Sequence, residues 1–310
     1  MLTKEDVADL IDLPQAMACV EEAFRQQARG TVTPWPPAMM RTGTSHLIMR
    51  SGGLAEMERH GVRVSVGPRG RDFALLFDTV RKELLSLMAY PFTELRLAAA
   101  TGVGVRALAR EDARRVAMLG TGRNAPGILE AVAMVRRLES VRVYSPTTEH
   151  RQRFAAQAGQ SLALPVTATK TAEAAVEGAD IVLVCTSAQA PALFGDWLAP
   201  NALVTAVGNR PELDDSVFRR GSLIVTSSKV QEMNVHEISD DWPLVRLIRA
   251  GAVDWHAVAE LGDVLSGQVR VPAGITVFRE AQGGFTDVAL AAWLYDRAVA
   301  LGRGVELTIA

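Results

Sequence analysis

The chain has 310 residues, more than one hydrophobic core usually serves, so two domains are expected. Its 33 Lys and Arg stand against 35 Asp and Glu, a balance with no long-range pull toward nucleic acid or an anionic membrane, which leaves a small molecule as the expected partner. Cys19 and Cys185 lie far apart without metal-ligand spacing, and there is neither a cleavable signal pattern nor an unbroken apolar run of about eighteen residues; a cytoplasmic protein with reduced thiols and no bound metal is expected.

Residues 4–29 place Val7, Leu10 and Ile11, then Ala16, Val20 and Phe24 at helical spacing, and Pro14 marks where one helix stops and a second begins. After the proline-rich TPWPPAM, the runs HLIM, GVRVSV, FALLF and ELLSLMAY are short and separated by Gly, Arg and Asp, with no helix between them. They predict a small sheet ahead of residue 90. Residues 92–109, FTELRLAAATGVGVRALA, return to a helical pattern.

Near residue 113 the texture changes. VAML (116–119), VRVY (141–144), PVTAT (165–169), IVLVC (181–185), LVTAV (203–207) and LIVTS (223–227) are continuous apolar, β-branched runs with helix-like or loop segments between most neighbours. Strands covered by helices on both faces read this way, so the segment predicts an α/β, doubly wound parallel sheet of Rossmann type. The last strong pattern, FTDVALAAWLYDRAVALG (285–302), is apolar on nearly all sides and predicts a helix packed between layers.

Gly120, Gly122 and Ala125 form G-x-G-x-x-A directly after VAML and directly before ILEAVAMVRRL, the strand-turn-helix setting of a dinucleotide fingerprint. Gly120 permits the tight turn, Gly122 admits a pyrophosphate to the backbone, Ala125 keeps the helix near the strand, and the first N–H groups of the helix face the anion. Thr121, Arg123 and Asn124 complete that loop, and Thr186 and Ser187 after IVLVC, with Val207 and Gly208 at the end of LVTAV, are further expected cofactor residues. At the end of VRVY, Ser145 takes the place where an acid would bond the ribose hydroxyls of NAD, with Thr147 and Arg151 just beyond it. Nothing there repels a 2′-phosphate and one guanidinium could bind it, so NADP is favoured over NAD.

These motifs join stretches through which the chain resembles the ornithine cyclodeaminase/mu-crystallin family over nearly its whole length. LIDLPQAMACVEEAFRQQARG is similar to that family's N-terminal helices, ADIVLVCTSAQAPALFGDWLAPNALVTAVG to its passage between the fourth and fifth Rossmann strands, and LGDVLSGQ with ITVFREAQGGFTDVALA to its C-terminal signature. The resemblance implies a substrate-binding and dimerisation domain of residues 1–112 with 288–310, an inserted NAD(P)-binding domain of residues 113–287, and a homodimer built through the N-terminal sheet. It implies hydride chemistry at the C–N bond of amino or imino acids, although some members bind cofactor and a hormone without evident turnover.

Carried over by the resemblance, Arg41 and Arg96 grip a substrate carboxylate, work for which the planar guanidinium fork is suited. Arg63 stands where the family has a lysine, and Asn209 where ornithine cyclodeaminases have an aspartate. Arginine stays protonated and asparagine does no acid-base chemistry near neutrality, so ornithine cyclisation is not expected. Leu97 replaces a threonine, and Arg50 adds a positive charge. Asp287, opening the last helix, serves either that helix's first turn or catalysis. His46 and His60 are further candidates to carry a proton. The expected activity is an imine reductase or amino acid dehydrogenase, with Arg63, Asn209 and Asp287 as catalytic candidates. Competing readings are a non-catalytic NAD(P)-dependent binding protein and a dehydrogenase of hydroxy or carbonyl acids.

Overall fold

The computed structural model describes residues 1–67, 72–89, 92–208, 210–234 and 239–307. The chain divides into two compact units, Met1–Ala99 with Ser228–Glu237 and Gln282–Ala310, and Ala100–Ser227 with Ile238–Ala281.

In chain order, α1 (Lys4–Leu10) and α2 (Leu13–Ala28) precede β1 (Val32–Pro34), β2 (Ala38–Thr42), β3 (Ser45–Leu54), β4 (Arg59–Gly67), β5 (Asp72–Asp78) and β6 (Glu83–Met88). The division between units falls within α3 (Phe92–Leu108). The second unit then runs β7 (Arg115–Leu119), α4 (Ala125–Val135), β8 (Ser140–Tyr144), α5 (Thr148–Leu162), β9 (Val166–Ala168), α6 (Ala172–Val176), β10 (Ile181–Val184), β11 (Leu203–Ala206), α7 (Asp215–Arg220) and β12 (Gly221–Thr226). After α8 (Lys229–Met233) come α9 (Pro243–Arg249), β13 (Ala259–Glu260), α10 (Leu261–Leu265), β14 (Ile275–Arg279) and α11 (Gly284–Ala300).

Local chemistry sets the N-terminal helices. Thr3 and Asp6 form a capping box ahead of α1, while Asp12 caps α2 and Pro14 occupies its first turn, where a missing N–H costs nothing. The sheet that follows is antiparallel, in the order β1-β3-β4-β5-β6 with β2 also on β3. Cross-strand register puts Leu54, Gly52, Gly61, Leu76, Ser86 and Met88 on one face, and all of them are buried. α11 covers that face, as its apolar circumference predicts, and α2 packs on α11 in turn. Its close approach depends on two glycines: a methyl on Gly52 would fall 2.7 Å from Phe285 Cα, and one on Gly61 would fall 2.6 Å from the Leu75 carbonyl oxygen and 3.4 Å from Val288. On the other face Met49, Val62, Val64, Phe73, Leu75 and Leu87 are only half-buried.

The second sheet has eight parallel strands in the order β13-β12-β14-β11-β10-β7-β8-β9. Each predicted apolar run is one of these strands, but six runs undercount the sheet. ITVFR, which the sequence offered only as part of a family signature, is the fully buried β14 between β12 and β11. The chain builds outward from β7 to β9 and then crosses back to β10 on the other side of β7. That reversal opens a crevice at the strands' C-terminal ends, where ligands of such sheets bind.

Candidate functional site

The crevice is a cleft of about 430 Å³, lined by residues that follow β7, β8, β10 and β11. Gly120, Thr121, Gly122, Arg123, Asn124, Ser145, Thr186, Ser187, Val207 and Gly208 all line it, as does Tyr144. Gly120 has φ 99°, and a methyl there would sit 2.1 Å from the carbonyl oxygen of Cys185, so only glycine fits. A methyl on Gly122, by contrast, would meet nothing within 4 Å among the described residues. Asn124 precedes α4 without capping it through its side chain, and its Oδ1 is buried with no hydrogen-bond partner among the described residues. Open space above Gly122, an orphaned polar atom and a helix N-terminus together fit a dinucleotide's pyrophosphate.

Of the other predicted cofactor residues, Ala125 is buried at the start of α4, Thr147 precedes α5, and Arg151 stands on α5. Thr121 donates to the Ser145 hydroxyl at 3.2 Å. Arg151 Nη1 donates to the carbonyls of Ser145 and Pro146 at 2.9 and 3.1 Å, which holds the guanidinium beside the end of β8 and 5.7 Å from the centre of the Tyr144 ring. Cys185 is a free thiol whose pKa burial pushes up to about 12, so it is no nucleophile near neutrality.

One residue beside the cleft was not singled out as a site residue from the sequence. Glu212 is fully buried. Its Oε2 accepts from the Thr186 backbone N–H at 3.2 Å and hydroxyl at 2.9 Å, and its Oε1 accepts from the Gly208 N–H at 2.9 Å. Arg279, at the end of β14, lies 3.6 Å from Oε1. Burial pushes the carboxyl up to about 7, against the opposing pull of Arg279 and the three donors. The available signal was an acid in the short PELDD segment that follows the LVTAV strand.

In the antiparallel unit, three side chains far apart in sequence meet. Asp287, in the first turn of α11, points Oδ2 at Arg63 Nε (2.9 Å) and Oδ1 at Arg96 Nε (3.1 Å). Arg63 Nη1 also contacts Thr93 Oγ1 at 2.9 Å, Ser65 Oγ at 3.0 Å and Asp72 Oδ2 at 3.2 Å. Arg63 is 3% exposed and Arg96 0%, so neither is the surface arginine that residue statistics favour. The carboxylate of Asp287 offsets the cost of burying two guanidinium groups. Arg63 Nη2 is buried without a hydrogen-bond partner, a donor directed at no protein acceptor among the described residues.

The remaining candidates are placed as follows. Arg41 is exposed near the end of β2, opposite His46 on β3. Register sets Arg41, His46, Arg50 and Arg63 on the same sheet face, with Arg50 directly opposite Arg63. His60 lies on the other face, edge-on to Phe77 at 5.8 Å. Leu97 is fully buried on α3. Asn209 lies outside the described residues.

The family model of the ornithine cyclodeaminase/mu-crystallin family matches residues 1–302. A Delta(1)-pyrroline-2-carboxylate reductase of Bacillus cereus is 29% identical, with 99% of each chain covered. The ketimine reductase mu-crystallin of Mus musculus is 31% identical over 74% of this chain and 70% of its own. Among solved structures, the Thermococcus litoralis Delta(1)-pyrroline-2-carboxylate reductase in complex with NADH and L-proline superimposes with a TM-score of 0.88 at 26% identity, covering 99% of each chain.

Proposed function

The chain belongs to the ornithine cyclodeaminase/mu-crystallin family, and from that premise we propose that it is an NAD(P)-dependent oxidoreductase acting on the C–N bond of an imino or amino acid. The observation that carries this reading is the buried Arg63–Asp287–Arg96 cluster in a chain that also has a dinucleotide cleft at the reversal point of its parallel sheet. The relatives named pyrroline-2-carboxylate and ketimine reductases support the C–N assignment.

In this reading the loop from Gly120 to Ala125 holds the pyrophosphate, and the bound dinucleotide supplies the hydride. Arg63, Arg96 and Arg41 bind the substrate carboxylate, Arg63 through the Nη2 that has no acceptor among the described residues. Asp287 accepts a hydrogen bond from Arg63 through Oδ2 and lies at ion-pair distance from Arg96 through Oδ1, so one carboxylate balances both buried charges. Arg63 supplies charge and donors, not a proton, because a guanidinium keeps its proton in any realistic site. Asn209 bonds the substrate nitrogen.

Within this reading the cofactor is NADP in preference to NAD. Support comes from Ser145 in the acid's place and from an Arg151 guanidinium held at the end of β8 by two carbonyls. A homodimer is also part of the reading. The half-buried apolar face around Met49, Val62, Val64, Phe73 and Leu75 is what a second copy of the same sheet would cover. Among the described residues no helix is long and apolar enough to cross a membrane, and the reading places the protein in the cytoplasm.

The deciding experiment follows NADPH and NADH oxidation with cyclic imino acids and with 2-oxo acids plus ammonia or methylamine. Sustained turnover with at least one imine is the expected result. Tight nucleotide binding without turnover of any panel member would instead identify a binding protein, and failure to retain either nucleotide would remove the reading altogether.

A further inference from the structure

Glu212 touches the cleft's walls without lining the cleft itself. Its side chain receives donors from two loops: Thr186, after β10, gives a backbone N–H and a hydroxyl, and Gly208, after β11, gives a backbone N–H. Its own carbonyl accepts from the N–H groups of Ala192 and Leu193 at 2.8 and 3.1 Å, tying down the far end of the first loop. The fit is close, since a methyl on Gly208 would fall 2.3 Å from Glu212 Oε2. The buried carboxyl therefore sets the positions of Thr186 and Gly208, and the main chain of the same residue sets that of Ala192; all three face the cleft.

These loops belong to a definable half of the ligand. The pyrophosphate belongs at the N-terminus of α4, and the end of β8 serves the adenosine ribose. The other half of the dinucleotide then extends over β10 and β11, onto the loops that Glu212 ties together. We propose that Glu212 is a positioning residue for the nicotinamide half of the cofactor, and that its ionised form, which accepts all three donors, is the form that shapes the cleft for binding. This inference rests on the nucleotide-binding reading above.

The chemistry is asymmetric between the two protonation states. As a carboxylate, Glu212 is acceptor-only and suits three convergent donors; once protonated, one oxygen carries a hydrogen that opposes a donor. Among the described residues, the charged or titratable groups beside it are Arg279 from β14 and Cys185 at the end of β10. Arg279 favours the ionised form and burial opposes it, which leaves the group titrating at about 7. Cys185, pushed up to about 12, does not change charge in that range.

The test measures NADH affinity by fluorescence titration between about pH 6 and 8.5 in the full-length protein and in Glu212→Gln. NADH is the probe because the 2′-phosphate of NADPH would itself titrate near pH 6. The affinity of the unsubstituted protein should weaken as pH falls through about 7. Glu212→Gln should bind at least about tenfold more weakly at pH 8, with a flat profile, while AMP, which carries only the adenosine half, keeps its affinity within about twofold. Unchanged NADH affinity and pH profile in Glu212→Gln would overturn the inference while leaving the function intact, as would equal losses for NADH and AMP. If Glu212→Gln does not fold, the unsubstituted protein decides alone, a flat profile being the overturning result. No NADH or NADPH binding by the unsubstituted protein would overturn the proposed function and this inference together.

Discussion

The two sheets use their residues in opposite ways. In the parallel sheet both faces are covered, side chains fill the core, and the cleft is built from backbone and short side chains at the strand ends. In the antiparallel sheet one face is buried beneath α11, and the candidate chemistry comes from long side chains held within that buried layer. The cleft of the parallel sheet therefore depends on where the main chain goes, whereas the Arg63–Asp287–Arg96 cluster depends on a charge balance: removing an atom from one should not resemble removing an atom from the other.

The largest expected effect tests the charge balance. Asp287→Ala leaves Arg63 and Arg96 without their shared carboxylate, and should cost about 3–5 kcal/mol in denaturant unfolding and abolish imine turnover. Next comes the main chain. Gly120→Ala forces φ 99° on an L-residue beside the Cys185 carbonyl, for a strain of about 1–3 kcal/mol from conformation alone; NADH titration should show at least a tenfold weaker complex, roughly 1.4 kcal/mol. A stability loss in Asp287→Ala no larger than that in Gly120→Ala would erase the contrast between the two sheets.

Val64→Lys places a charge on the half-buried apolar face and should shift the protein to monomer in sedimentation velocity, with nucleotide affinity unchanged. A species that sediments as a dimer after this change would show that the face has another role. Arg151→Ala is expected to act more gently, reducing the preference for NADPH over NADH by about tenfold, since one charge-assisted contact is lost. The least conspicuous effect is on stability against pH. Because the carboxyl of Glu212 titrates at about 7 in the fold against 4.5 unperturbed, the folded state holds a proton that the unfolded chain has already released between those values. Its contribution to stability is thus present below about pH 4.5 and lost as pH rises to about 7; Glu212→Gln should remove that part of the slope in urea midpoints.

The same contrast explains what could be read in advance. The glycine loop was legible because its constraint is local: a turn after a strand and before a helix needs Gly120 whatever surrounds it. β14 was not, since a five-residue apolar run offers no periodicity to separate a strand from a buried helical turn. The arginine cluster was legible only in its members. Sequence spacing says nothing of a carboxylate on α11 reaching a guanidinium on β4, and the pairing follows only once the glycines of β3 and β4 admit the helix. Glu212 escaped for a related reason. A buried acid in a short segment between strand and helix looks like any surface glutamate until the loops that surround it are known.

The glycine-lined seat of α11 also has a bearing on the protein's birth. Arg63 is separated from Asp287 by 224 positions along the chain, and the whole parallel-sheet unit is translated in between. On the ribosome, that unit can complete its strands while the earlier sheet still waits for the helix that will cover it. For that interval the nascent chain exposes an uncovered apolar layer and two arginines, Arg63 and Arg96, still without the carboxylate they share, and this is the stage at which a chaperone has most to shield.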